Sequence, residues 1–130
     1  MKPYTLLIGL AVASVLFFAC QKREGQASKE DTEKLIEGSW VQPINTMPDQ
    51  KEGFTLNKDH SAASINMHTL EIESWDIENG YLNLKTKSIG NGQTIDLIVS
   101  YKIDRLDKDS LILTENGNVV FALARQNNKD

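Results

Sequence analysis

Three Asn-Gly pairs constrain the fold of this chain more than any other feature of its sequence. They are Asn79-Gly80, Asn91-Gly92 and Asn116-Gly117. Both residues of such a pair accept the positive φ that a type I′ turn requires, so each pair predicts a two-residue β-hairpin loop. The intervals between the pairs leave no room for crossover helices, and this predicts consecutive antiparallel strands.

The segments between these turns alternate between apolar and polar residues. The clearest is 95–104, which places its apolar side chains on one face and Ile98 alone on the other, polar face. One buried and one solvated face are typical of an antiparallel sheet. A meander of such strands loses its edges when it closes, so we expect an all-β fold, an up-and-down eight-stranded antiparallel barrel. The predicted strands are 39–44, 52–57, 61–66, 69–78, 81–88, 93–104, 110–115 and 118–125.

A short helix is predicted before the first strand. Ser28 is a suitable N-cap for a helix over 29–37, and Gly38 stands in the usual C′ position. The apolar face of this helix consists only of Leu35 and Ile36. A face this small predicts a plug or lid that packs against the barrel.

The first twenty residues predict export and a lipid anchor. Lys2 precedes a charge-free apolar stretch over 6–18, which is long enough for a secretory leader and too short to span a bilayer. Ala19 and Cys20 then resemble a bacterial lipobox, in which the thiol receives a diacylglycerol and the new amino terminus receives a fatty acyl chain such as palmitate. Lipidation would account for a lone cysteine in an exported chain. The alternative is a secreted protein with a free thiol.

These features predict three segments and a location. Residues 1–19 are the expected signal peptide, 20–28 the lipidated cysteine and a flexible tether, and 29–127 the barrel domain. The polar string after Cys20, Gln21-Lys22-x-Glu24, looks like the export signals of surface lipoproteins in Bacteroidota-type bacteria. We therefore expect an outer-membrane lipoprotein of a Gram-negative bacterium, held at the membrane by its N-terminal lipid and facing the periplasm or the cell surface.

Charge and cysteine content exclude other classes of protein. The chain carries a net charge of −4 and has no basic run, so nucleic-acid binding has no electrostatic support. It has one cysteine, so an internal disulfide is excluded and the domain must fold on packing alone.

A G-x-W sequence opens the first predicted strand directly after the helix. It is Gly38-Ser39-Trp40, and Arg125 stands at the end of the last strand. This arrangement resembles the lipocalin signature, in which the tryptophan packs across the closed end of the barrel and the arginine lies over it. The resemblance implies a structural closure by Gly38, Trp40 and Arg125, with a cation–π contact worth about 0.5–2 kcal/mol.

Further motifs are similar to the short lipocalin-like lipoproteins of Gram-negative, Bacteroidota-type bacteria. This family implies an eight-stranded barrel and no single established ligand. His60 stands where a turn glycine is expected, and histidine tolerates the left-handed region well enough to keep that turn. The matching segments are 40–44, Gly53-Phe54-x-Leu56, 63–70, Trp75 and 88–92.

No catalytic or metal motif is present in the sequence. His60 and His68 are the only histidines, and no metal-ligand spacing surrounds them. No nucleophile elbow occurs, and Glu71 and Glu73 share a strand face that is expected to be solvated. We therefore expect no enzyme activity, no metal and no cofactor.

The barrel interior is the best candidate for a binding site. Eight-stranded barrels either fill with side chains or hold one small ligand. The first hypothesis is a small apolar or amphipathic ligand in the barrel mouth. The second is a solid core that serves as a protein-interaction, inhibitor or envelope-support module, with an envelope protein as partner. The candidate ligand-binding residues are Phe54, Leu82, Leu84, Tyr101 and Phe121.

Overall fold

The computed structural model describes residues 28–127, which form one short helix followed by eight strands. The predicted leader 1–19 and Cys20 lie outside the described residues. The elements are α1 (Lys29–Ile36), β1 (Gly38–Ile44), β2 (Met47–Leu56), β3 (Ala62–Ile65), β4 (Leu70–Glu78), β5 (Tyr81–Gly90), β6 (Gln93–Leu106), β7 (Ser110–Glu115) and β8 (Asn118–Arg125).

The predicted N-cap begins α1. The Ser28 Oγ accepts a hydrogen bond from the Asp31 N–H at 3.1 Å, which satisfies one of the free donors of the first turn. Of the two apolar residues, Ile36 is fully buried and Leu35 remains partly exposed. The helix therefore plugs the barrel with a single side chain. No helix within residues 28–127 is long and apolar enough to cross a membrane.

All eight strands pair antiparallel in one sheet with the order β3-β2-β1-β8-β7-β6-β5-β4. This arrangement confirms the predicted meander and the all-β barrel. Each Asn-Gly pair has positive φ at both residues, from 50° to 52° at asparagine and from 74° to 81° at glycine, as a type I′ turn requires. His60 keeps its turn with a φ of 72°.

The predicted strands differ most from the structure at the start of β2. That strand begins at Met47, whereas the alternation predicts a start at residue 52. The segment is polar and exposed, so it carries no apolar pattern. It pairs with β1 through an irregularity between Pro43 and Ile44. Pairing within the hairpin, and not burial, makes this segment a strand.

Strands β3 and β4 lie side by side without a regular ladder, and side-chain hydrogen bonds between them complete the barrel. The Ser64 hydroxyl donates to the Leu70 carbonyl at 2.7 Å and accepts from the Ile72 N–H at 2.9 Å. An isolated bridge joins Ser61 to Ser74 farther along the same seam. One serine side chain thus supplies the hydrogen bonds that a neighbouring backbone would otherwise make.

The interior is filled with apolar side chains over most of its height. Trp40 and Phe54 are fully buried, together with leucines from β2, β5 and β7. Phe121 meets Phe54 and Tyr101 edge-on, with ring centroids 5.8 and 5.5 Å apart, a favoured aromatic geometry. Of the two alternatives for the interior, a packed core and a cavity, the packed core therefore occupies most of the barrel.

Candidate functional site

The two ends of the barrel differ, and Arg125 closes the end that α1 covers. Its guanidinium carbon lies 4.2 Å from the centroid of the Trp40 ring. The guanidinium donates to the carbonyls of Leu35 and Glu37 at the end of α1, and the Trp40 Nε1 donates to the Ile36 carbonyl at 2.7 Å. One arginine and one indole thus satisfy carbonyls that the end of a helix leaves free.

Two glycines make this closure sterically feasible. Gly38 has a φ of +128°, and a Cβ there would lie 2.6 Å from the Arg125 Nη1. A Cβ at Gly53 would lie 1.9 Å from the Trp40 carbonyl oxygen. The glycine of the G-x-W motif is therefore required by backbone conformation and by the close approach of the arginine.

A second group of contacts holds α1 from the β2–β3 loop. The His60 ring stacks on Trp75 with centroids 4.6 Å apart, and its Nε2 lies 3.4 Å from the Glu33 carboxylate on the helix. The Trp75 Nε1 donates to the Asn57 carbonyl at 2.9 Å. The closed end is therefore occupied by structural contacts, so the candidate site is at the opposite end.

At the open end, β6 extends well beyond its neighbour β7. It pairs with β5 from Gln93 to Lys102, but with β7 only from Lys102 to Leu106. Residues 93–101 consequently have a strand on one side only. We call the four inward-facing side chains of this stretch, Ile95, Leu97, Val99 and Tyr101, the mouth wall.

The mouth wall changes from buried to exposed along its length. Tyr101 is 8% exposed, Leu97 is 44% exposed and Ile95 is 53% exposed. Apolar side chains that face inward and still contact solvent are unusual in a closed barrel, because the opposite wall normally covers them. Here the shorter β7–β8 hairpin leaves them uncovered.

The pairing of β1 with β8 is short. Their ladder contains only the pairs Trp40–Arg125 and Val41–Ala124. Beyond it the Gln42 Oε1 accepts from the Ala122 N–H at 3.0 Å, so a side chain replaces the strand-to-strand bond. Backbone pairing between β1 and β8 therefore ends below the mouth.

The floor of the mouth is aromatic and carries the Tyr101 hydroxyl. Tyr101 and Phe121 are each 8% exposed and form its upper surface. The Tyr101 hydroxyl makes no hydrogen bond within residues 28–127, and burial raises the pKa of this phenol, with a smaller contribution from the Glu115 carboxylate.

The charged side chains are distributed unequally between the two faces of the strands. Glu52 lies on the same face of β2 as the buried Phe54 and therefore faces inward. The strand lysines occupy the alternate, outward positions, and Lys87 pairs there with Glu73 at 3.1 Å. These outward residues are Lys51, Lys85, Lys87 and Lys102.

The predicted ligand-binding residues occupy two levels of the barrel. Phe54, Leu82 and Leu84 are buried in the packed core, whereas Tyr101 and Phe121 lie at the floor of the mouth. Ile95, Gln42 and Glu52 also lie on the inward face toward the mouth and were not among the predicted site residues. A usable signal was the unequal length of the predicted strands, because 93–104 is twice as long as 110–115.

The residues considered for metal or acid–base chemistry lie apart. His60 is at the closed end, and His68 is exposed in the β3–β4 loop. Glu71 is exposed on β4, beside the ion-paired Glu73. Within residues 28–127, no group of three or more His, Cys, Asp or Glu side chains is placed to hold a metal ion.

Comparison with known proteins identifies the family. The model of the lipocalin-like family matches residues 32–126. A crystal structure of a lipocalin-like protein from Bacteroides thetaiotaomicron is similar to this chain, with 42% sequence identity and a TM-score of 0.65, over 71% of this chain and 97% of that one. A comparison with curated proteins finds no match. The chain therefore belongs to the lipocalin-like family.

Proposed function

We propose that this protein is a membrane-anchored lipoprotein that binds a small apolar or amphipathic ligand at the open end of its barrel. The observation that carries the proposal is the mouth wall, where inward-facing apolar side chains stand exposed above an aromatic floor. Burial of this surface by a ligand would contribute roughly 25 cal/mol per Å² of apolar area. A few polar groups beside an apolar surface are typical of small-molecule sites.

The packed core limits how such a ligand would lie. Because Phe54 and Leu84 are almost completely buried, the ligand would rest on Tyr101 and Phe121 and extend along β6 toward Ile95. This pose requires no rearrangement of the core. It predicts a site with one apolar wall and a solvent-facing side.

Binding can be tested with two substitutions on opposite faces of the same strand. Leu97→Asp places a charge on the mouth wall, and Ile98→Asp places the same charge on the outward face, where Ile98 is 74% exposed. We expect Leu97→Asp to reduce uptake of an apolar fluorescent probe at least tenfold, and Ile98→Asp to leave it unchanged. The wild-type protein should also carry a co-purified small molecule in native mass spectrometry. Absence of both uptake and bound molecule would refute the ligand-binding function.

The membrane anchor is proposed from Cys20 and its context. In its native host, the wild-type protein should incorporate labelled palmitate and fractionate with the outer membrane. Cys20→Ser should abolish both, because the acceptor thiol is lost. Protease treatment of intact cells then distinguishes a surface-exposed barrel from a periplasmic one. Labelling that persists in Cys20→Ser would contradict the assignment of the anchor.

A second candidate function is a protein-interaction, inhibitor or envelope-support module that binds no ligand. It is favoured by the unpaired edge of β6 over 93–101, beside the exposed Ile98. An apolar strand edge of this kind is a suitable surface for pairing with another chain. Crosslinking in intact cells tests this function, since Ile98→Lys should remove a crosslinked envelope protein that the wild type retains.

A further inference from the structure

We infer that the mouth selects a ligand whose polar end is a hydrogen-bond donor, an amine or an alcohol, and that it disfavours carboxylates. This inference rests on the proposed ligand binding and assigns the chemistry of the head group. It depends on the position of the Tyr101 hydroxyl and on the sign of the charges that surround the mouth.

Tyr101 is the inward-facing polar group at the base of the mouth wall. Tyr101 as a whole residue is 8% exposed, and its hydroxyl makes no hydrogen bond within residues 28–127. The Thr86 hydroxyl, by contrast, donates to the Leu97 carbonyl at 3.1 Å, and the Gln42 Oε1 accepts from the Ala122 N–H. The Tyr101 hydroxyl is therefore free to bond the head group of a ligand that rests on this floor.

The charged side chains on the mouth side of the barrel are acidic. Glu115 follows Thr114, the residue that pairs with Lys102, and so lies beside Tyr101, while Glu52 is on the inward face of β2. The lysines of β2, β5 and β6 point away from the interior, and Arg125 is held at the closed end by Trp40 and the carbonyls of α1. The phenol can donate to a carboxylate as well as accept from an amine or an alcohol, so the charges decide between these head groups. A carboxylate would meet like charge on this side of the barrel, whereas an ammonium or hydroxyl group can donate to Tyr101 or to a glutamate.

The apolar part of the ligand has a matching surface. The mouth wall continues from Tyr101 through Val99 and Leu97 to Ile95, a distance of about 20 Å along the strand. A head group at Tyr101 thus places an alkyl chain along side chains that are otherwise exposed. This combination defines an alkyl amine or alcohol as the ligand class.

Three probes with the same chain test the head-group preference: dodecylamine, dodecanol and dodecanoate, each below its micelle concentration. Wild-type protein should bind dodecylamine at least about tenfold more tightly than dodecanoate, with dodecanol between them. Tyr101→Phe removes only the hydroxyl and should weaken the amine and the alcohol about 3- to 10-fold. Glu52→Gln should reduce the preference for the amine and leave dodecanol unchanged.

Tyr81→Phe is the matched control, because Tyr81 lies on the outward face of β5 and is 43% exposed. It should change none of the affinities. This control is needed because an acidic protein attracts alkyl amines to its surface whatever the site. A similar loss of affinity for dodecylamine in Tyr81→Phe and Tyr101→Phe would overturn the inference.

Failure of the inference and failure of the proposed function give different results. Dodecanoate bound as tightly as dodecylamine by wild type would overturn the head-group assignment and leave ligand binding intact. Equal affinities of Tyr101→Phe and wild type for all three probes would overturn it as well. If none of the three binds, the proposed function itself fails and the inference fails with it.

Discussion

At the scale of single residues, Arg125 connects the last strand to Trp40, to the end of α1 and to the β6–β7 loop. Its planar guanidinium stacks on Trp40 and donates to carbonyls of Leu35, Glu37 and Lys108. A lysine carries the same charge, but it lacks the flat surface and the fixed fork of donors. The geometry of the side chain, and not its charge, is what closes this end of the barrel.

Arg125→Lys should therefore destabilise the protein by about 1–3 kcal/mol, measured as the free energy of unfolding in urea. Arg105→Lys is the matched control, since Arg105 is exposed and its one side-chain bond within residues 28–127 is to the nearby Asp107. That change should stay within about 0.5 kcal/mol. Equal losses for the two variants would show that charge alone accounts for the role of Arg125.

At the scale of elements, the hairpin turns carry most of the local information. The β4–β5 turn has φ values of 52° at Asn79 and 81° at Gly80, and the Gly80 carbonyl accepts from the Ile103 N–H at 3.0 Å. The turn thus contributes to the pairing of three strands. Gly90, the last residue of β5, does not have a positive φ, so the backbone conformation there does not require glycine.

These two glycines allow a direct comparison of backbone strain. A Cβ would meet nothing within 4 Å at either position, so neither substitution creates a steric clash. Gly80→Ala should cost about 1–2 kcal/mol, because alanine must adopt a left-handed conformation. Gly90→Ala should be neutral or slightly stabilising. Thermal unfolding of both variants measures the difference, and equal midpoints would contradict the strained turn.

At the scale of the whole molecule, the barrel is closed by a seam that has almost no backbone pairing. The two edge strands, β3 and β4, meet through the Ser64 hydroxyl and the Ser61–Ser74 bridge. A sheet with two free edges invites pairing with other chains. The two hydrogen bonds of one partly buried serine therefore contribute directly to closure of the barrel.

Ser64→Ala should destabilise the fold by about 1–3 kcal/mol, because the Leu70 carbonyl and the Ile72 N–H lose their shared partner. Ser100→Ala removes a hydroxyl that bonds Asn83 on the exposed face and should change stability by less than about 0.5 kcal/mol. Hydrogen exchange should show faster exchange at Ile72 in Ser64→Ala only. Unchanged protection there would argue that other contacts hold the seam.

The number of strands, their turns and the helix cap followed from the sequence, because each depends on local backbone preferences. Asn-Gly pairs specify positive φ wherever they occur, and Ser28 caps α1 through a contact three residues away. The alternation in 95–103 likewise predicts which side chains face inward. The start of β2 was predicted wrongly because both faces of this hairpin are solvated, so its sequence does not alternate between apolar and polar residues.

What only the tertiary structure decided is which inward-facing side chains are covered. Ile95 and Tyr101 follow the same alternation, yet one is 53% exposed and the other 8%, because β7 ends beside Tyr101. The seam at Ser64 and the separation of β1 from β8 at Gln42 also depend on strands distant in sequence. Local preferences determine the direction in which a side chain points. Whether that side chain is buried depends on neighbouring strands that only the closed sheet brings together. The candidate ligand site exists because β7 is too short to cover the mouth wall.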